Sequence, residues 1–198
     1  VVLYSGICSK LSYFMCILPN SKHSSTQFKC APPIRPAENQ DRLWDGLRDG
    51  VIDFIVSDHS PCVPNLKCTE SGDFHEAWGG ISSLQLGLAS IWTEAKKRGF
   101  SLTDIAKWLC ERPAKFIGQG KQLGKIAPGY RANMVVWDPN QEFTIQASDL
   151  LFKHKISPFI GRSVTGRVHS TYLRGERIYH EREFQAAPTG QLILNRNQ

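Results

Sequence analysis

Residues 55–62, Ile-Val-Ser-Asp-His-Ser-Pro-Cys, join an apolar run to an acid, an imidazole, a hydroxyl and a thiol. Asp58 directly follows residues that call for burial. A carboxylate at the end of a buried strand has two uses. It can hold and pass a proton, or ligate a divalent metal, in a site built where strand C-termini converge. It can equally cap the backbone in an Asx-type turn ahead of Ser60 and Pro61. Both readings stand at this point. His59, His75, Cys62 and Cys68 offer further donors. However, the six histidines form no H-x-H, H-x-x-x-H or H-E-x-x-H pattern, and the cysteine spacing matches no common zinc knuckle. An independent zinc site within this chain is not expected, and His59 reads as a loop residue whose loss costs little. Gly79 and Gly80, after Trp78, permit a close backbone approach to a ligand or simply lead into the next helix.

The elements that must position these groups follow from pattern. Residues 27–35 read as a short strand stopped by Pro32 and Pro33, which lack the ladder donor. Leu43, Trp44 and Leu47 have helical spacing, and Gly50 marks that helix's end. The run 51–61 reads as the next strand, apolar apart from Asp53. A strand, a helix and a strand in that order form a βαβ unit and predict a parallel sheet. Leu84, Leu88, Ile91 and Ala95 lie on one stripe of a long helix ending before Gly99. Ser101 and Asp104 form a capping pair for another. From Gly124 onward the chain changes to short β-type runs separated by P-G, D-P-N and R-G-E turns.

The chain has 198 residues, 41% hydrophobic and 21% charged, values ordinary for a soluble globular protein. No stretch approaches about 18 consecutive apolar residues, so no membrane span is expected. The net charge of +6 is spread along the chain, densest around Arg162, Arg167, Arg174 and Arg177. It comes with no nucleic-acid-binding motif, and a nucleic-acid partner is not expected. Six cysteines without a regular framework read as free thiols. The apolar first residues are not expected to be a signal peptide, since they lack a basic n-region and Lys10 interrupts them. The chain begins with Val and reads as a fragment.

From about residue 26 to the C-terminus the sequence resembles the allantoinase family of cyclic amidohydrolases. The motifs that carry the resemblance are FKCAPPIR (28–35), NQDRLWDGLRDGVIDFIVSDHSPC (39–62), AWGGISSLQLGL (77–88), GKIAPGYRANMVVWDP (124–139), HKISPFIGR (154–162) and LRGERIY (173–179). SDHSP followed by AWGG distinguishes this family from dihydropyrimidinase-type relatives. The resemblance implies an α/β fold, the C-terminal part of a (β/α)8 metallo-dependent hydrolase barrel (a TIM barrel) with a small β-sandwich segment. Residues 26–123 would be the last barrel strands and helices, and 124–198 the sandwich segment and tail. Residues 1–25 depart from the family and are unassigned.

The implied reaction is hydrolytic opening of the allantoin ring to allantoate in purine catabolism. Family members hold two divalent metals, usually zinc, between an H-x-H pair, a carboxylated lysine, two further histidines and an aspartate. Asp58 matches that aspartate, and the match gives it a metal-ligating and a catalytic role, taking the proton of the bridging water and passing it to the departing nitrogen. By the same match, substrate meets the backbone at Ala31, Trp78 and Gly79, with Ser60 helping to orient the ring. The other ligands have no counterpart in this chain, so alone it is expected to bind no zinc and to be inactive. A catalytically dead binding or assembly module is the alternative. The implied partners are allantoin and, as a family possibility, further copies of the chain, without nucleic acid or membrane. The expected compartment is the cytoplasm, with peroxisome and mitochondrion also compatible.

Overall fold

A computed structural model describes residues 25–185 and 187–193. The unassigned segment 1–24 lies outside the described residues. Helix α1 (Ala37–Arg48) buries Gln40, Trp44 and Leu47 along one side, as the 3-4 spacing requires. It stops ahead of Gly50, whose φ of 74° is left-handed. Trp44 stacks on Phe100 at 5.6 Å and meets Trp108 edge-on at 6.3 Å. The Arg98 guanidinium covers the Trp44 ring and pairs with Glu94 and Asp41, closing the cluster against solvent.

Two expected strands are corrected. Residues 27–35 are a single 3-10 turn, Thr26–Phe28, followed by a bend at Ala31 and Pro32. The donors of Phe28 and Lys29 go to Ser25 and Thr26, so the turn is satisfied locally and two prolines follow it. Residues 51–61 bury Phe54, Ile55 and Val56, as their apolar character demands, but they form no strand. A strand is defined by its ladder partners, and the described residues supply none here. No parallel pair occurs among them, and the one sheet is antiparallel.

Among the described residues a helical unit packs against this run. Helix α2 (Gly87–Lys97) follows a 3-10 turn at Leu84–Leu86. Helix α3 (Leu102–Ala106) opens with the expected capping box between Ser101 and Asp104. It continues through a π turn, Lys107–Glu111, into α4 (Arg112–Phe116). The cause is local. Pro113 has no N–H to give, and the Arg112 N–H reaches back five residues to Lys107. The Trp108 carbonyl is thereby left without its usual partner, and it accepts the Ile55 N–H at 3.2 Å. The Arg112 side chain donates to the carbonyls of Ile52 and Asp53. The buried run is thus held by a helix irregularity.

The four strands among the described residues lie in the second half: β1 (Met134–Thr144), β2 (Ser163–Leu173), β3 (Glu176–His180) and β4 (Glu183–Phe184), in the order β1-β2-β3-β4. Register shifts at Val136/Trp137 and Asp138/Glu142 bend β1 around its D-P-N segment. Arg174 and Gly175 both have positive φ between the paired Leu173 and Glu176, the backbone a tight twisted hairpin needs. Helix α2 docks on β2. Trp92 donates its indole N–H to the Pro139 carbonyl, the Thr93 hydroxyl accepts the Thr165 N–H, and Trp92 meets Trp137 edge-on at 5.8 Å. Among the described residues no helix is long and apolar enough to cross a membrane.

Gly166 makes that docking possible. Its φ is 110°, and a Cβ there would stand 2.9 Å from the Trp137 ring and 3.1 Å from Trp92. Gly166→Ala is expected to destabilise by about 1–3 kcal/mol through overpacking, with backbone strain in addition. Urea unfolding of variant and parent measures it, and equal midpoints would show that the two rings yield freely.

Candidate functional site

Asp58 stands at the end of the buried run, half-buried, with a left-handed φ of 42°. Asp tolerates this conformation better than most residues. Beyond it the chain is fixed by backbone and imidazole. The Ser60 N–H donates to the Ile81 carbonyl at 2.9 Å. Nδ1 of His59 accepts the N–H groups of Ser83 and Leu84 at 3.0 and 3.1 Å, and its ring lies against Phe152. Nδ1 must be unprotonated to accept both, and burial lowers the His59 pKa, favouring the neutral ring. The sequence reading of His59 as a dispensable loop residue is corrected: it caps the start of the turn that leads into α2.

The substrate-binding residues inferred from the resemblance come together around this end. A Cβ on Gly80 would fall 2.5 Å from the Ser60 hydroxyl and 2.7 Å from the Trp78 indole nitrogen. One on Gly79 would fall 3.2 Å from the Ala31 Cβ. Both glycines therefore serve close approach, Gly80 to Ser60 and Trp78, Gly79 to Ala31. Ala31 and Trp78 are exposed and Gly79 half-buried, so this junction faces outward. A shallow cleft opens beside Ser60, Gly80, Lys67 and Ser157.

Sequence reasoning missed two positioning side chains. Lys67 is only 3% exposed, and its Nζ donates to the carbonyls of Trp78 and Lys29 at 2.9 and 3.0 Å. Burial lowers its pKa. Gln85 donates to the Asp149 carbonyl and accepts the Leu151 N–H, both at 2.7 Å. It thereby fixes the loop that carries fully buried Leu150 and brings Phe152 to His59. Lys67 stands outside the motifs that carry the resemblance, and Gln85 lies within AWGGISSLQLGL (77–88) with nothing there to mark its role.

The donors among the described residues are too few for a metal centre. Among the described residues no group of three or more His, Cys, Asp or Glu could hold an ion. Nδ1 of His59 is occupied by two N–H groups, and burial raises the Cys62 thiol pKa, disfavouring the thiolate. Asp58 is one carboxylate, and a metal needs three or four ligands. The described residues alone do not fit the group.

Comparison with known proteins places this geometry in context. The model of the Amidohydrolase family matches residues 3–178. A "Probable allantoinase" of Oryza sativa subsp. japonica is 46% identical over 85% of this chain and 34% of its own length. An allantoinase of Streptomyces avermitilis is 46% identical over 85% of this chain and 37% of its own. That of Saccharomyces cerevisiae is 42% identical over 92% and 39%. The chain thus spans between about a third and two fifths of the length of these curated relatives. Among solved structures, the L-hydantoinase (dihydropyrimidinase) from Arthrobacter aurescens superposes with a TM-score of 0.81 at 31% identity, over 88% of this chain and 39% of that one. A dihydropyrimidinase from Brevibacillus agri gives 0.75 at 28%, over 80% and 35%.

The His59 contacts make a direct test. Gln places its amide where Nε2 stands, leaving the Ser83 and Leu84 donors unmet. His59→Gln is expected to cost about 1–3 kcal/mol. His59→Asn, whose Oδ1 stands near Nδ1, is expected to cost less. Chemical unfolding at neutral pH ranks the two, and a Gln variant as stable as the parent would remove the capping role.

Proposed function

The chain belongs to the amidohydrolase family, and from that premise we propose that it carries the last part of an allantoinase, the hydrolase that opens the hydantoin ring of allantoin to allantoate in purine catabolism. The observation that supports this best is identity of 42–46% to proteins named allantoinase over 85–92% of the chain. In this reading residues 26–123 are the final staves and helices of a (β/α)8 barrel. Residues 124–198 contribute to a β-sandwich, and the run through Ile55 finds its ladder in strands of the whole protein. The activity is assigned to that whole protein.

Asp58 is the proton-transfer group. Its carboxylate takes a proton from the attacking water and delivers it to the departing ring nitrogen, a role for a carboxylate at hydrogen-bond range. Ser60 and the backbone at Ala31, Trp78 and Gly79 orient the cyclic amide. Amidohydrolases are generally metal-dependent. Two divalent metals, zinc in this reading, would be held in the whole protein by Asp58 together with ligands other than those described. The substrate is a small molecule, self-association is the only macromolecular contact inferred, and the cytoplasm is the compartment proposed. The donors among the described residues, which do not make a metal centre, leave one second reading, an inactive module that docks on complete subunits. Its signature is binding to complete subunits without turnover.

In the whole metal-loaded protein, Asp58→Asn is expected to lower kcat by about 10²–10⁴-fold while leaving the fold intact, since Asn is nearly isosteric. The 198-residue chain alone is expected to bind no stoichiometric zinc and to hydrolyse no allantoin. Steady-state assay with elemental analysis reads both. Full activity of the Asn variant would make Asp58 structural, and turnover by the isolated chain would overturn the ligand assignment.

A further inference from the structure

We propose that Lys67 is a positioning residue, whose buried ammonium fixes the Trp78–Gly79 peptide so that the Gly79 N–H is presented to an acceptor on the substrate. The proposal rests on the allantoinase reading for the identity of that acceptor, a carbonyl oxygen of a cyclic amide. It rests on the structure alone for the clamp.

Burying a lysine is costly unless its charge is met. Among the described residues no carboxylate pairs with Lys67, and its two partners are both carbonyl oxygens, those of Lys29 and Trp78. If packing were the only demand, an apolar side chain of similar length would meet it without desolvating an ammonium. What the ammonium adds is one point that gathers two peptide groups 49 residues apart in sequence.

The planar trans peptide converts that grip into direction. When the Trp78 carbonyl points at Lys67, the N–H of the same peptide unit, which belongs to Gly79, must point the opposite way. That N–H has no acceptor among the described residues. The Trp78 N–H is held independently by the Leu66 carbonyl at 2.7 Å, so consecutive residues 66 and 67 hold both polar groups of Trp78. A cation on the carbonyl also polarises the peptide and strengthens its N–H as a donor. The other arm of the clamp, on Lys29, secures the segment that brings Ala31 against Gly79. Lys29 itself donates to the His75 carbonyl at 2.7 Å, so the 67–78 loop and the 29–31 bend are tied at two points.

The test compares the whole metal-loaded protein with its Lys67→Met variant on two independent scales. Without substrate, amide exchange at Trp78 and Lys29 is expected to speed up about three- to tenfold, the loss of one hydrogen bond at each segment, while amides within Gly87–Lys97 keep their parental rates. With allantoin, KM is expected to rise about tenfold with kcat within about threefold, since the lost contact orients substrate and does not move protons. Parental exchange at both segments overturns the clamp. Faster exchange with an unchanged KM overturns the positioning role. Should the parent itself fail to hydrolyse allantoin, the functional reading falls and the exchange comparison alone decides the clamp. If the Met variant does not fold, Lys67→Gln takes its place: the shorter amide can reach at most one carbonyl, and parental exchange at both segments again refutes the proposal.

Discussion

A backbone that buries Phe54, Ile55 and Val56 without a sheet ladder must find other partners for its polar groups. The site is arranged around that requirement. Ile55 gives its N–H to a carbonyl released by the π turn, and the π turn exists because Pro113 cannot complete an ordinary helical bond. Ser60 gives its N–H to Ile81. His59 works in the opposite sense and absorbs two donors at the start of the next helical segment. Asp58 lies between Ile55 and Ser60, three residues from one tie and two from the other. Its left-handed backbone is therefore set from both sides.

The electrostatic choices follow the same economy of partners. His59 sits where protonation would cost two hydrogen bonds, so burial and geometry agree on a neutral ring. Lys67 sits where no acid answers it, so its charge is spent on carbonyls. Glu94, by contrast, faces Lys97 and Arg98, whose contacts hold its carboxyl below the usual range against the cost of its burial. Of that triad, Arg98 covers the Trp44 ring. Charge near Asp58 is thus used to orient backbone, whereas charge near Trp44 closes a core.

The amphipathic helices were legible in the sequence because burial has a period: Trp44, Leu47, Ile91 and Ala95 face inward as their spacing predicts, whereas Leu84, expected on the same stripe, is exposed in the 3-10 turn that precedes the helix. The Ser101–Asp104 box was legible because capping is local chemistry. The R-G-E hairpin was legible because positive φ has residue preferences. The strands expected at 27–35 and 51–61 were not, since an apolar run reports burial, whereas a strand depends on a neighbour that the run itself does not encode. Asp58 announced itself as an acid after an apolar run. Ser60, Trp78 and Ala31 came only from the resemblance, Gly79 was also legible as a point of close backbone approach, and Lys67 came from neither. Nothing in Pro-Asn-Leu-Lys distinguishes a lysine that reaches inward to two carbonyls from one that reaches to water.

That last difference bears on how such a site is built. A proton-transfer carboxylate and the backbone that orients its substrate must be held to a fraction of an ångström, about 0.5 Å in working sites. Loops rarely achieve this unaided. Here the precision comes from long side chains that act as backbone partners across sequence: Lys67 to Trp78 and Lys29, Gln85 to Asp149 and Leu151, His59 to Ser83 and Leu84. Each is a side-chain bond to backbone that ties one loop to another. The glycines at 79 and 80 let those loops approach within contact distance, and the side chains stop them from drifting apart. Close approach without the clamps would leave the Gly79 donor free to turn, and clamps without the glycines would hold the loops too far apart for Ala31 and Ser60 to meet Gly79 and Gly80. The two features work only together, which is why the site reads in sequence as separate fragments and in structure as one junction.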